Sequence, residues 1–507
     1  MAEKTEKVKK SLTEEVIEGS FWSGFTSILA RLGTLIFTIL LARILFPESL
    51  GIYSLVISIA SIFMTFADLG LDSILIRYTS LDVRKEKKAA YFRYVFKLKL
   101  AISFLVSIAL LVFAYPLSFW VYKKPELFLP LLVSSFFIFS SLFVNFFSSY
   151  FYAIKKTRYI GIKEIILQIT RMLLLILVFI LLLATYRILG VFVSMILSNL
   201  IVILLLFIWI NKYSPYILKK TKEKIDKIKV IKFSAYYTIA SISGIFFTYI
   251  DTIMLGFFVS FAYIGFYRVA FTSVFGIIGL FTYVGTVLLP IFTNLKKQRL
   301  QIAFNKVSRF VLIFSIPATF GCLVLGKYFI KILYGGEYLP ATTSFYILSL
   351  MLITYMPVTI ISSLFFSKEK PKYVAKATFI SLLVNIVLNY ILISQLLKIS
   401  EAWATAGAAL ATIISRAYLF IYLIIITKKE LGISQEIKIF LKPIIASTLM
   451  LLVLLGINFI FKDMNLFLGL AEIILGILIY FSVMILIKGI TKEDIGIFKK
   501  LPIFRKK

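Results

Sequence analysis

Apolar runs long enough to cross a bilayer, about 18 residues or more, recur from one end of this sequence to the other. A water-soluble core has no place for so many, because a helix that is apolar all round must be covered all round. With 61% apolar residues and a mean hydropathy of +0.99 over 507 residues, the chain reads as an all-α polytopic membrane protein. At about 20 residues per span, the runs divide into fourteen expected transmembrane helices, among them 20–45, 49–76, 96–120, 261–292, 340–367, 438–461 and 465–487.

The net charge of +32 would point to nucleic acid in a soluble chain, but here the charges sit between the spans. Most of the 56 basic residues fall in alternate connections, and the intervening ones carry few. The positive-inside rule then places both termini in the cytoplasm and the protein in the cell membrane, with no nucleic-acid partner. Trp22, Trp120, Trp209 and Trp403 each stand at a span end, at the headgroup level that indole prefers. The amino-terminal segment has mixed charge and no small-residue cleavage site, so the first span is expected to stay. Cys322 is the single cysteine and histidine is absent, which removes disulfide frameworks and the usual zinc sites; no metal or cofactor is expected. Gly321 to Tyr328 has the spacing of a phosphate-binding loop, but Tyr328 stands where magnesium needs Ser or Thr, and the run lies inside a span. Any uphill transport must then draw on a Na+ or H+ gradient, the membrane potential or a driven substrate.

The basic stretch 211–232, with eight lysines, separates two halves that repeat each other. A shift of 214 takes Leu50-Gly51-Ile52-Tyr53 onto Ile264-Gly265-Phe266-Tyr267, and Ser148-Ser149 with Phe151 onto Ser362-Ser363 with Phe365. Further on, Leu189-Gly190 against Ala406-Gly407 requires 217. The expected organisation is a cytoplasmic amino terminus (1–19), an N-lobe of six spans (20–210), a basic linker (211–231), a C-lobe of six spans (232–427), two further spans (428–489) and a basic tail (490–507). No connection is large enough to bury a core of its own, so function belongs to the bundle.

Polar residues within spans are the site candidates. In span 1, Ser20, Ser27, Arg31, Thr34 and Thr38 share one helical face, and its shifted partner in span 7 holds Ser234, Ser241, Thr248 and Thr252. Such hydroxyls serve helix packing as readily as a wet cavity. Arg31, Arg171 and Arg416 fall near mid-depth, where each costs about 3 kcal/mol unless paired or hydrated. Asp251 and Glu472 are acids that could pair with them; the other reading is a hydrated cavity with excess positive charge. Glu164, Gln168 and Arg171 share a face, and the matching face of span 11, read at the 217 shift, holds Ser381, Asn385 and Asn389. Guanidinium and amide groups there suit phosphate and sugar hydroxyls, and interhelical hydrogen bonds account for the amides too. At the inner end of span 2, Asp68 and Asp72 at i,i+4 and Arg77 are gate or anchoring candidates. Arg268 is expected at the level of Asp251, as its possible partner.

The stretches LLARILFPESLGIYSLVISIASIFMTFADLGLDSILIRY (40–78) and VNIVLNYILISQLLKISEAWATAGAALATIIS (384–415) resemble the oligosaccharide flippases of polysaccharide export. These belong to the multidrug/oligosaccharidyl-lipid/polysaccharide exporter superfamily, with the lipid II flippases and multidrug extruders. The resemblance implies a V-shaped alternating-access transporter of two six-helix lobes plus two helices. It also implies a lipid-linked oligosaccharide as substrate, membrane lipids and possible glycan polymerases or glycosyltransferases as partners, and basic cavity residues, which Arg31 and Arg171 match. A cation-coupled drug or metabolite exporter is the alternative, expected to need acids in its cavity. A membrane glycosyltransferase or polymerase would need carboxylates outside, and the chain is expected not to be an enzyme.

Overall fold

The computed structural model describes residues 2–80, 84–183, 186–219, 221, 223, 225, 227–279, 288, 292–293, 295, 297–436, 438–460 and 466–490, with side chains except at 2–21, 23, 227–241 and 466. All regular structure among these is helical. The helices are α1 (Ala2–Ile44), α2 (Pro47–Asp68), α3 (Leu71–Ser80), α4 (Lys85–Tyr115), α5 (Phe128–Ala153), α6 (Thr157–Leu181), α7 (Arg187–Tyr213), α8 (Lys227–Phe258) and α9 (Phe261–Gly279). They continue as α10 (Lys297–Tyr334), α11 (Ala341–Ser349), α12 (Met351–Ser367), α13 (Pro371–Leu397), α14 (Glu401–Leu431), α15 (Lys438–Ile460) and α16 (Leu466–Leu486).

Thirteen stretches of these helices are long and apolar enough to span a bilayer, and Ile242–Phe258 of α8 is apolar but shorter. This is a multi-pass membrane protein. Large apolar side chains such as Leu105, Val112, Leu173 and Ile180 stay exposed along the spans, as a lipid-facing surface requires. The expected span 49–76 is not one helix. Leu69 and Gly70 take positive φ of 43° and 68°, a left-handed turn that glycine adopts without a Cβ clash. It ends α2 and redirects α3. The expected span 340–367 likewise divides at Leu350 into α11 and α12. The Gly321–Tyr328 run is a continuous part of α10, so it forms no loop.

The duplication is visible in backbone detail. Helices α2 and α9, α6 and α13, and α7 and α14 start 214 residues apart. Both α5 and α12 end in the same cap: Lys155 and Glu369 take positive φ, while Lys156 N donates to Phe151 O and Lys370 N to Phe365 O. That is the six-to-one bond of a Schellman motif. A Cβ on Gly190 would meet Val178 and Leu182, and one on Gly407 would meet Leu392 and Leu396. The glycines differ by 217 but their partners by 214, so the three extra residues enter after α13. Arg171 therefore corresponds to Asn385, and the 217 shift does not yet hold at Ser381 and Asn385.

Packing groups the chain into two compact units that cut across the expected lobes: Met1–Arg268 with Ile386–Ala408, and Val269–Asn385 with Ala409–Lys507. In the first, α3, α4 and α5 enclose an aromatic core in which Tyr78 stacks on Tyr91 at 4.8 Å and Phe92 meets Phe146 and Tyr150. In the second, Tyr480 of α16 donates to Ile313 O of α10 at 2.8 Å inside an apolar cluster with Met450 and Leu454.

Candidate substrate site

Helix α6 carries a string of four polar side chains inside the first unit. Lys163 Nζ donates to Glu164 Oε2 at 2.9 Å, Gln168 Nε2 to Glu164 Oε1 at 2.7 Å, and Arg171 Nη2 to Gln168 Oε1 at 2.6 Å. Lys163, Glu164 and Gln168 are all buried. Spacings of four and three residues put Glu164, Gln168 and Arg171 on one face, so the helix itself sets the order of the string. It fixes the guanidinium over the Phe37 ring of α1, 3.9 Å from the centroid, and leaves Arg171 Nε buried without an acceptor. Arg171 and Arg268 both lie within electrostatic reach of Tyr53, whose ring packs on Phe37 and Phe192. Arg268 stands over the Tyr249 ring at 5.6 Å. Two cations thus converge on one tyrosine. Arg31 is half-buried on α1 and makes no hydrogen bond or ion pair among the described residues.

The threonines divide by depth rather than forming one wet stripe. Thr34 lies open and Thr248 is half-buried, whereas Thr38 and Thr252 are buried. Thr34, Thr38 and Thr248 donate to the carbonyls of Ala30, Thr34 and Gly244, the usual back-bond of a helical hydroxyl. Ser20, Ser234 and Ser241 lie outside the described side chains, and the tail from 491 lies outside the described residues. Asp251 is buried and accepts from Tyr267 Oη at 2.6 Å and Asn389 Nδ2 at 2.7 Å. In the second unit, Asn385 donates to Thr412 Oγ1 at 3.2 Å, Ser381 to Ser415 O, and Arg416 stands over Tyr355 at 5.5 Å. Glu472 is buried and makes no hydrogen bond or ion pair among the described residues.

Asp68 and Asp72 are separated by the α2–α3 turn, so they do not share a helical face. Their common partner is Lys99 of α4, which donates to Asp68 Oδ1 and, at 3.1 Å, to Asp72 Oδ1. Lys99 is fully buried. Sequence reasoning did not single it out; the signal that could have found it is a pair of acids at a span end, which calls for a cation from a neighbouring helix. Both acids line a cavity of about 280 Å³ with Ser61, Thr65, Asn145 and Tyr249. Arg77 is exposed one helical turn beyond.

At the other end of α2, Gly51 is crowded by the Phe261 carbonyl and Gly265 by the Pro47 carbonyl. The two contacts are equivalent under the 214 shift, a pseudo-twofold crossing of α2 and α9 that only glycine permits. Beside it Lys124 Nζ donates to Gly256 O at 2.9 Å and Val259 O at 2.6 Å, capping the last turn of α8. A cation suits that end of the helix dipole. Burial lowers the Lys124 amine below its ordinary range, against the opposing pull of Glu401 and Glu126. Tyr122 stacks on Phe257 at 4.4 Å, and burial pushes its hydroxyl up. Glu401 accepts from both Ser260 N and Ser260 Oγ.

A family model described as polysaccharide biosynthesis protein matches residues 16–296, more than half of the sequence. The chain belongs to that family. A second model, for the lipid II flippase MurJ, matches residues 258–475. This family member is 28% identical over 276 residues to the probable low-salt glycan biosynthesis flippase Agl15 of Haloferax volcanii; the match covers 52% of this chain and 55% of that protein. The chain thus spans about half the length of the curated relative it matches. Its fold is that of the lipid II flippase MurJ in an inward closed conformation, with a TM-score of 0.74 at 21% identity over 93% of this chain and 99% of that one. An inward-facing multidrug resistance MATE family transporter of the MOP superfamily aligns with a TM-score of 0.67 at 12% identity, over 80% and 95%.

Proposed function

We propose that this family member is a flippase that carries a polyprenyl phosphate- or pyrophosphate-linked oligosaccharide from the cytoplasmic to the outer leaflet, for glycan or polysaccharide biosynthesis. The observation that carries the reading is the sign of the charge offered inside the first unit. Its buried and half-buried acids are occupied: Glu164 by Lys163 and Gln168, Asp251 by Tyr267 and Asn389, and the half-buried Asp68 and Asp72 by Lys99. Arg31 has no partner among the described residues, and Arg171 is held by neutral Gln168 with Nε open. An interior whose acids are engaged and whose guanidinium groups stand ready suits a phosphate, which an arginine fork binds through two parallel bonds. The names of the Agl15 and MurJ relatives support the same substrate class.

In this reading Gln168 orients Arg171, Arg31 and Arg268 add positive charge, and the sugar meets the threonine and amide groups. Alternating access follows from two repeats that can rock about the site. With both termini in the cytoplasm, the Gly51–Phe261 crossing and the Lys124 cap would lie toward the outer side. The cavity beside Asp68 and Asp72 lies toward the cytoplasm. A cation-coupled exporter would need an open acid at this site. Deleting the gene and following leaflet position decides between them: a lipid-linked sugar accumulating on the cytoplasmic leaflet supports the flippase. Normal glycan export with lost efflux of cationic dyes would instead support an exporter.

A further inference from the structure

The second unit carries a basic cavity that the flippase site does not use. It measures about 200 Å³ and lies between α10, the start of α15 and the turn that follows α16. Among the described residues its wall bears Arg309, Lys438, Lys442 and Lys488 against one acid, Glu436. Two of the cations are fixed by backbone: Arg309 Nη2 donates to Gly489 O at 2.7 Å, and Lys442 Nζ to Lys488 O at 2.9 Å. The turn that offers those carbonyls is itself closed by Gly489 N donating to Met484 O at 2.6 Å, with Lys488 at positive φ. Glu436 is already engaged, accepting from Asn305 Nδ2 at 2.6 Å. The Lys438 and Lys488 amines have no partner among the described residues. The cavity therefore offers net positive charge on a fixed frame.

What lies next to it identifies the ligand class. Lys438 and Lys442 open a candidate membrane span and Lys488 follows another. Immediately inward, Leu441, Ile444, Ile445, Ile485 and Leu486 are exposed apolar side chains, Leu486 at 80%. A basic rim above an apolar wall matches a phosphate joined to acyl chains, whereas a free phosphate would use only the rim. Basic pockets between transmembrane helices are known receptors for anionic headgroups. We propose that this cavity binds the phosphate headgroup of an anionic phospholipid whose chains lie along α15 and α16.

The test uses the full chain and a double variant, Lys438→Gln with Lys488→Gln, which removes the two unpartnered amines and keeps both backbone ties. Retention of phosphatidylglycerol and of phosphatidylcholine by detergent-purified protein is measured by native mass spectrometry. At about one kcal/mol per lysine near an anionic lipid surface, the variant should hold phosphatidylglycerol about 30-fold more weakly. Phosphatidylcholine should be unaffected, and the paired arginine variant should recover most of the binding. An unchanged melting temperature without lipid shows that the variant is folded. Equal phosphatidylglycerol retention by wild type and a folded glutamine variant would overturn the proposal. So would inorganic phosphate that displaces the lipid at matched concentration, since the site would then be one for soluble anions.

Discussion

Losing the Lys99 ammonium would leave the half-buried Asp68 and Asp72 without their shared donor beside the cavity they line. Breaking a fully buried pair from one side costs about 3 to 5 kcal/mol, and solvent in the cavity offsets part of that, so Lys99→Met should accumulate less in the membrane than wild type. Adding Asp68→Asn and Asp72→Asn should restore expression; a stable single variant would show that the triad does not hold α2, α3 and α4 together. The threonines give a second expectation. In a Cys322→Ser background, cysteines at Thr34 and Thr248 should react with water-soluble maleimides and those at Thr38 and Thr252 should not, with labelling read by gel shift. Uniform reactivity at all four would contradict the division by depth. At this scale the sequence was legible where helical periodicity governs, as for Glu164, Gln168 and Arg171. It was not legible where partners come from distant segments, as with Lys99, or where two residues of equal polarity differ only in which neighbour covers them, as with Thr34 and Thr38.

Helices were read well from their apolar length, and their breaks were not, because Leu69-Gly70 interrupts a hydrophobic run without altering its hydropathy. The glycine crossing brings the backbones of α2 and α9 together at Gly51 and Gly265. A methyl at Gly51 must push against the Phe261 backbone, so Gly51→Ala should destabilise the protein by about 1 to 3 kcal/mol, the usual cost of overpacking. Gly244→Ala on α8, where nothing lies within 4 Å, should be neutral or stabilising by up to about 1 kcal/mol. Thermal unfolding in detergent separates them, and equal effects would remove the crossing from the account. The cap on α8 predicts a pH response. With the α2–α9 crossing closed and Lys124 capping α8, the amine is lowered from 10.5, so that state binds fewer protons than one in which the crossing is open and the amine is solvated. Closure should strengthen as pH rises from the lowered value toward 10.5 and be weakest below it. Spin-label distances between Leu129 and Tyr263 should shorten or hold over that range in wild type and be flat in Lys124→Met; lengthening would reverse the sign.

For the whole molecule, the repeat was legible because duplicated backbones keep their caps and crossings, even where side chains have diverged from Arg171 to Asn385. The grouping into compact units was not, since it depends on how α8 and part of α13 pack rather than on where the basic linker falls. Reporter fusions after Lys156, Lys297, Lys370 and Lys429 should report cytoplasm, and those after Lys124, Arg187 and Lys398 the outside, as the alternation of basic residues requires. Inversion of more than one connection would refute that topology. If Arg171, held by Gln168, binds the phosphate of a lipid-linked sugar, translocation in reconstituted vesicles depends on its guanidinium. Each variant is loaded with a lipid-linked oligosaccharide, and the glycan reaching the far leaflet is scored with a membrane-impermeant lectin, alongside thermal stability of the same preparation. Wild type should translocate. Arg171→Gln should stay folded and lose about 10- to 100-fold, the worth of a charge-assisted hydrogen bond, and Arg171→Lys should keep part of the activity by retaining charge without the fork. Full translocation by a folded Arg171→Gln protein would contradict the account, as would a loss of folding that Glu164→Gln repairs.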